Sequence, residues 1–408
     1  MMDRRVFLKY LGIATALTAS CPAGSFGDSQ PSINMAVPKP GDQTGVALAG
    51  VRKGASGQDM KSAVRDAACA ATDFSWLHKG DTVFIKPALN SGLAYPSTTS
   101  PAAIAAMIEL LRQKGAKRVI VGDMSGIDHV RLSPEKLTGS TRRLMEVSGM
   151  AKAVTAAGGE SHFFEEAGWN AFYEDMPCAG SSWKRGLMMP NILKEVDHIV
   201  LMPRCGRHVL AGSTLGLKAA VGYWRPDTRL EYHHDASTFH EKTAEGNTVG
   251  TMLTKQRLVL SAADKILTSY GPDKGRVTQP DCGLIMASTS VVAHDMVSLA
   301  WLLENRREQT LQGLDWIKDN EPLVARFGNS YIVKLLGGWG AMFSSEKFTK
   351  NDLQSIGDDR VLNRAYAVLG GVPQVALVDA NNAVPEEIRN RLTEKTKVDI
   401  FIHRTGPL

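Results

Sequence analysis

Arg204-Cys205-Gly206-Arg207-His208, continuing through Ala211-Gly212-Ser213, Lys218 and His233-His234, gathers within 31 residues most of the side-chain types that a buried reaction centre uses. Imidazoles bind metals or carry protons near neutral pH. A lysine in an apolar stretch, here between Leu217 and Ala219, can lose its charge through burial. It can then act as a base, a nucleophile or the covalent anchor of a cofactor. Paired arginines hold carboxylates through their planar donor forks. The bland alternatives are a surface lysine on an amphipathic helix and satisfied structural histidines.

The rest of the composition narrows the classes. A chain of 408 residues with 43% hydrophobic and 22% charged positions is long enough for large buried cores and reads as α/β. The net charge of +5 is mild and the charges are interspersed, which argues against nucleic acid as a partner. Cys21, Cys69, Cys178, Cys205 and Cys282 form no close pair, so spacing points to neither a zinc knuckle nor an iron–sulfur cluster.

Asp3-Arg4-Arg5-Val6-Phe7-Leu8-Lys9, followed by the apolar run Leu11 to Ala19, resembles a twin-arginine export signal. Residues 1–27 are therefore set apart as a signal peptide, with the translocase as a partner during export and the periplasm as destination. Cys21 could instead carry a lipid anchor; cleavage near Ser25 is preferred. Residues 28–45 are proline-punctuated and read as a linker. No later stretch has the roughly 20 continuous apolar residues of a membrane helix.

The elements that must position these groups are legible further on. Thr82 to Pro87 and Arg118 to Asp123 read as buried strands flanking a helix with Ser100 as its cap, Pro101 in its first turn and Gly115 as terminator. Strand, helix, strand implies a parallel sheet. A helix over Ala151–Ala157 and strands at Ser161–Phe164, Asp197–Pro203, Lys265–Thr268, Gly283–Ala287, Gln374–Asp379 and Val398–Ile402 follow, with helices from Ala293 to Leu303 and from near Pro385. The expected architecture is a mostly parallel sheet with flanking helices: a Rossmann-like lobe over 46–215 and a second α/β lobe over 216–408 sharing the cleft. The reactive stretch begins at Arg204, just past a strand end, where open α/β sheets place ligands. Asp123, at another strand end, belongs to the same mouth; Lys86 and Asn90 could meet a phosphate or carboxylate there.

Ile85-Lys86-Pro87, Ser100-Pro101, Gly115-Ala116, Val121-Gly122-Asp123, the run Arg204 to Lys218, Arg229 with His233, and Ala287-Ser288-Thr289 leading to Ala293-His294-Asp295 together resemble the domain-of-unknown-function 362 family. The resemblance covers roughly residues 80 to 305, and it places Ser288 beside a cofactor site. Within it, His208, Ala211-Gly212, Lys218 ten residues on and His234 sixteen further, preceded by His129 with Arg131, are similar in order to the nickel-dependent lactate racemase family. That resemblance implies a nickel-pincer nucleotide anchored on Lys218. It also implies nickel bound by His234, general bases at His129 and His208, and a substrate carboxylate held by Arg204 or Arg207. Where that family has a Thr-Arg-Pro phosphate loop, this chain has Lys86-Pro87-Ala88-Leu89-Asn90. Sequence alone does not separate His233 from His234.

Three functions follow as expectations. The first is an exported, cofactor- or metal-dependent enzyme on a small carboxylate, racemase- or epimerase-like. The second is a zinc or iron hydrolase or lyase built on His208, His234, Asp235 and His240. The third is a non-catalytic periplasmic protein that binds an organic acid or metal chelate.

Overall fold

The structure, a computed structural model, describes residues 43–307 and 310–398. The twin-arginine pattern, Cys21 and the strand expected to end at Ile402 lie outside or at the edge of them.

An 11-stranded mixed sheet organises the chain. Its strands are β1 (Gln43–Arg52), β2 (Thr82–Pro87), β3 (Arg118–Asp123), β4 (Glu160–Phe163), β5 (His198–Met202), β6 (Arg204–His208), β7 (Gly212–Thr214), β8 (Gln256–Leu267), β9 (Val277–Thr278), β10 (Cys282–Ser288) and β11 (Gln374–Asp379). The principal order is β11-β1-β10-β8-β5-β2-β3-β4, with β6 pairing β7 and β8, and β9 pairing β8. Along that order only β10 runs against its neighbours. The first β-strand begins at Gln43, inside the segment expected to be linker.

Strands from both sides of residue 215 interleave in this sheet. The boundary between residues 215 and 216 therefore does not divide two sheets: β8 and β10 lie between β5 and β1. A mostly parallel α/β sheet with flanking helices is observed as expected; the second half extends the sheet of the first.

The central strands are apolar on both faces because helices cover both. Val83 and Ile85 face helices α1 (Gly57–Ala71) and α2 (Pro101–Gln113), packing with Val64, Ile104, Met107 and Ile108. Phe84, one residue out of phase, joins Tyr223, Trp224 and Phe239 on the opposite face. Farther along the sheet, Val259 and Met286 pack on Val297 and Leu302 of α5 (Val291–Arg307). Helix α2 starts as its sequence indicates: the Ser100 hydroxyl accepts from the Ala103 amide and Pro101 occupies the first turn.

Helix α5 also fixes the piece of chain that carries Lys218. The Asp295 carboxylate accepts from the amides of Gly216 and Leu217 at 2.8 and 2.7 Å, capping the short helix α3 (Gly216–Ala219). The His294 ring meets the same carboxylate through Nδ1 at 2.8 Å, and its Nε2 meets the Ser261 hydroxyl at 2.9 Å. Replacing Asp295 by Ala leaves two buried amides without an acceptor, and should cost at least about 1 kcal/mol by denaturant unfolding.

Candidate functional site

The carboxyl ends of β2, β3 and β5 converge, and the segments that leave them wall a cavity of about 720 Å³. A smaller chamber of about 90 Å³ adjoins it; Asn90, His208, Lys218, Val221, Arg229 and Pro272 line both.

Beneath the chamber, Lys86 is buried with Nζ 2.8 Å from Asp123 Oδ1, and it donates to the Pro87 carbonyl at 2.7 Å. Asp123 in turn accepts from the amides of Leu89 and Met124. Burial lowers the Lys86 pKa, against the pull of Asp123. This pair ties two strand ends together, so the Lys86 ammonium is already engaged. Gly222 packs on it: a Cβ there would lie 2.4 Å from Lys86 Nζ, which leaves no room for a side chain.

Strand β6 explains how the arginines divide. Alternation puts Arg204 and His208 on one face and Cys205 and Arg207 on the other. Arg204 lines the chamber; among the described residues its buried Nε and Nη1 have no hydrogen-bond partner. Burial lowers its pKa to about 10 despite Asp273 and Asp123. Arg207 points away, donating to the Gly212 carbonyl at 2.7 Å and to Asp319 at 3.3 Å, and it lines neither void. A substrate role for Arg207 is thus corrected to a structural one.

The His208 Nδ1 accepts from the amides of Leu210 and Ala211 at 3.1 and 3.3 Å. The remaining proton of the neutral ring therefore sits on Nε2. Burial, then Lys218 and Arg204, push its pKa well below the usual histidine range, so the ring stays neutral. It offers a donor to the cavity, where the sequence resemblance implied a base.

Lys218 is half-buried and lines both voids. Among the described residues it has no hydrogen-bond or ion-pair partner; its Nζ lies 5.7 Å from the centroid of the Tyr232 ring. Burial, then Arg229 and Arg204, bring its pKa down to about 7.

Arg229 and His233 come from α4 (Pro226–His234), four residues apart and hence on one face. Arg229 donates to the carbonyls of Ser125, Met124 and Gly222, while its Nε has no partner among the described residues. Burial lowers its pKa to about 10. Its part in the cavity wall was not among the sequence-derived site residues, although its i, i+4 spacing from His233 signalled it.

His233 answers the question that sequence left open. It lines the cavity, with Nδ1 2.8 Å from Asn329 Oδ1, and Asn329 Nδ2 donates back to the His233 carbonyl. That arrangement leaves the Nε2 lone pair free, and burial lowers the ring's pKa to about 3. His234, about 100° further round the helix, turns away to Asp235 and Ser344 and lines neither void.

The remaining residues divide similarly. At the rim, Asn90 donates to Asp273 at 2.9 Å, and His129 Nε2 stands 3.9 Å from the same carboxylate. Ser288 lies away from the cavity, donating to the Gly45 carbonyl and accepting from the Ser290 amide. Asp235 is paired with Lys184 and Lys242, and His240 meets the Leu210 carbonyl. The metal site expected from His208, His234, Asp235 and His240 is therefore not assembled. The set implied for a nickel nucleotide is met only in part: His234 is turned away, His208 presents a donor and the Lys86 ammonium is occupied, whereas His233 offers a free Nε2 and Lys218 a free amine to the cavity.

Among the described residues, His78, Asp81 and His198 bring possible ligand atoms within 4.8 Å, at the far, amino ends of β2 and β5. Arg257 Nε donates to His198 Nδ1 at 3.2 Å, so Nε2 holds the proton facing Asp81 at 2.9 Å. That ring has no lone pair to give a metal.

Residues 83–300, more than half of the chain, match the family described as Domain of unknown function (DUF362). The chain belongs to this family. No curated protein sequence matches it. Among solved structures it is similar to the lactate racemase apoprotein from Thermoanaerobacterium thermosaccharolyticum, with 13% identity and a TM-score of 0.38 over 60% of this chain. The match spans 54% of that protein, about half its length. A Thermotoga maritima protein is similar at 10% identity and a TM-score of 0.38, over 87% of this chain and 96% of its own. Likeness at this level carries no argument about activity.

The arginines give a direct test. Arg207→Met strips a buried carboxylate of one partner and should lower stability by about 3 kcal/mol. Arg204→Met removes a buried cation that has no ion-pair partner among the described residues, and should leave the melting temperature unchanged or raised. It should also weaken binding of a small carboxylate such as pyruvate roughly 10–100-fold by calorimetry.

Proposed function

We propose that the protein is an enzyme acting on a small carboxylate-bearing molecule, a 2-hydroxy or 2-oxo acid. One observation carries this reading: the buried Arg204 and Arg229 and the half-buried Lys218 line one chamber, and none of them has a carboxylate partner among the described residues. Buried cations without counter-charge suit an anionic ligand. The Arg204 guanidinium receives its carboxylate, and the adjoining 720 Å³ accommodates the rest of a small acid.

The chemistry follows from the neighbours. The Lys218 amine accepts a proton from C2 of a 2-hydroxy acid or from C3 of a 2-oxo acid, as an amine titrating near neutrality suits a general base. His208 donates a hydrogen bond from Nε2 to the substrate oxygen on which negative charge develops. His233 and His129 stand on the wall and rim as further proton carriers. Return of the proton to the opposite face of the carbon would make the reaction a racemisation or epimerisation.

Lys218 is competent when neutral, so kcat/KM should rise with pH through about 7 and level above it. Lys218→Met should lower turnover by roughly 100-fold or more. A panel of 2-hydroxy and 2-oxo acids, followed by proton NMR in heavy water and by chiral chromatography, checks this. Binding that depends on Arg204 without turnover of any acid would leave a binding protein and defeat the enzyme reading.

We also read the chain as exported to the periplasm through the twin-arginine translocase, on the strength of Arg4-Arg5 and the apolar run behind them. Replacing both arginines by lysine should retain the protein in the cytoplasm, as cell fractionation would show.

A further inference from the structure

Two consecutive helices, α6 (Gly313–Asn320) and α7 (Pro322–Ser344), the second of which lines the cavity, present apolar side chains outward. Leu314 and Trp316 on α6, and Leu323, Phe327, Trp339 and Phe343 on α7, are all exposed, Phe327 by 70% and Phe343 by 77%. Leu323, Phe327 and Tyr331 recur every fourth residue, opposite the face where Ala325 and Val333 are buried. Only Ala325, Asn329 and Val333 of the 23 residues in α7 are buried, and the helix kinks at Gly338, so Trp339 and Phe343 extend the apolar surface beyond the kink.

Helix α6 carries the exposed pair Asp315 and Lys318, which offset each other, so the net charge of the two helices' outer face comes from α7. Helix α7 carries Arg326 and Lys334 and no carboxylate at all. Lys334 Nζ lies 3.8 Å from the centroid of the Trp339 ring, which stacks on Phe343 at 5.9 Å. A cation held against an exposed aromatic pair suits the boundary between water and lipid, where the ring enters the apolar layer and the ammonium meets headgroup phosphates. A second copy of α7 would bring the same cations together with no acid on that helix to pair with them.

The face is continuous with the mouth of the cavity. Tyr331 and Leu336 line the cavity from α7; across the mouth Leu93 and Val147 also line it, with Val147 68% exposed. We propose that the α6–α7 face docks on an anionic lipid surface, which sets the mouth of the cavity against the membrane. No described helix is long and apolar enough to cross a membrane, so this is contact with one leaflet.

Vesicle flotation with the full chain tests the proposal. Vesicles of phosphatidylcholine with phosphatidylglycerol should capture the protein at least tenfold better than phosphatidylcholine alone, and raised salt should weaken the capture. The double variant F327E/W339E, made at exposed positions, should bind the mixed vesicles at least tenfold more weakly with its melting temperature unchanged. Residues before Gln43 are the same in both chains, so binding through them would survive the substitutions. Equal capture of variant and wild type would overturn the proposal. So would a wild-type dimer in lipid-free solution that F327E/W339E dissociates, because a second copy would then cover the face.

Discussion

Charge burial is the constraint that shapes this molecule. A cation taken out of water needs a counter-charge or a full set of acceptors. Lys86 has Asp123, and Arg207 has Asp319 and the Gly212 carbonyl. Arg229 is held by three carbonyls. Arg204 and Lys218 are left over, side by side on the chamber wall. The fold tolerates them through the strength of what surrounds them: an apolar parallel sheet, the Lys86–Asp123 tie between strand ends, and Asp295 capping α3.

The same electrostatics sets the protonation of the neighbours. Burial, reinforced by the neighbouring cations, holds His208 and His233 neutral and brings Lys218 to the edge of deprotonation. Backbone amides then decide which nitrogen of His208 carries the proton. A donor, a near-neutral amine and a guanidinium thus face one space, which is the combination needed to bind a carboxylate and move a proton beside it.

Much of this was legible in the sequence. The strands at Thr82–Pro87, Arg118–Asp123 and Gln374–Asp379 fall where their apolar runs and flanking turns put them. The position of Arg204 beyond a strand end located the cleft. Strand alternation in Arg204-Cys205-Gly206-Arg207-His208 already separates Arg204 and His208 from Arg207, and helical spacing already groups Arg229 with His233 and leaves His234 aside. Other features were not legible. The partner of Arg207 lies 112 residues away and that of His233 96 residues away. The proton position on His208 depends on a turn whose geometry composition does not reveal. Helix α7 was not read from the sequence, where Gly328, Gly337, Gly338 and Gly340 interrupt its helical pattern.

The central claim is that Arg204 is the receptor for a substrate carboxylate. The most direct measurement is a crystal structure of the protein soaked with pyruvate or lactate. The account predicts a carboxylate in the chamber within hydrogen-bond distance of the Arg204 guanidinium, with the rest of the acid directed toward Lys218 and His208. A carboxylate bound only at the rim, with Arg204 still unpaired, would contradict it.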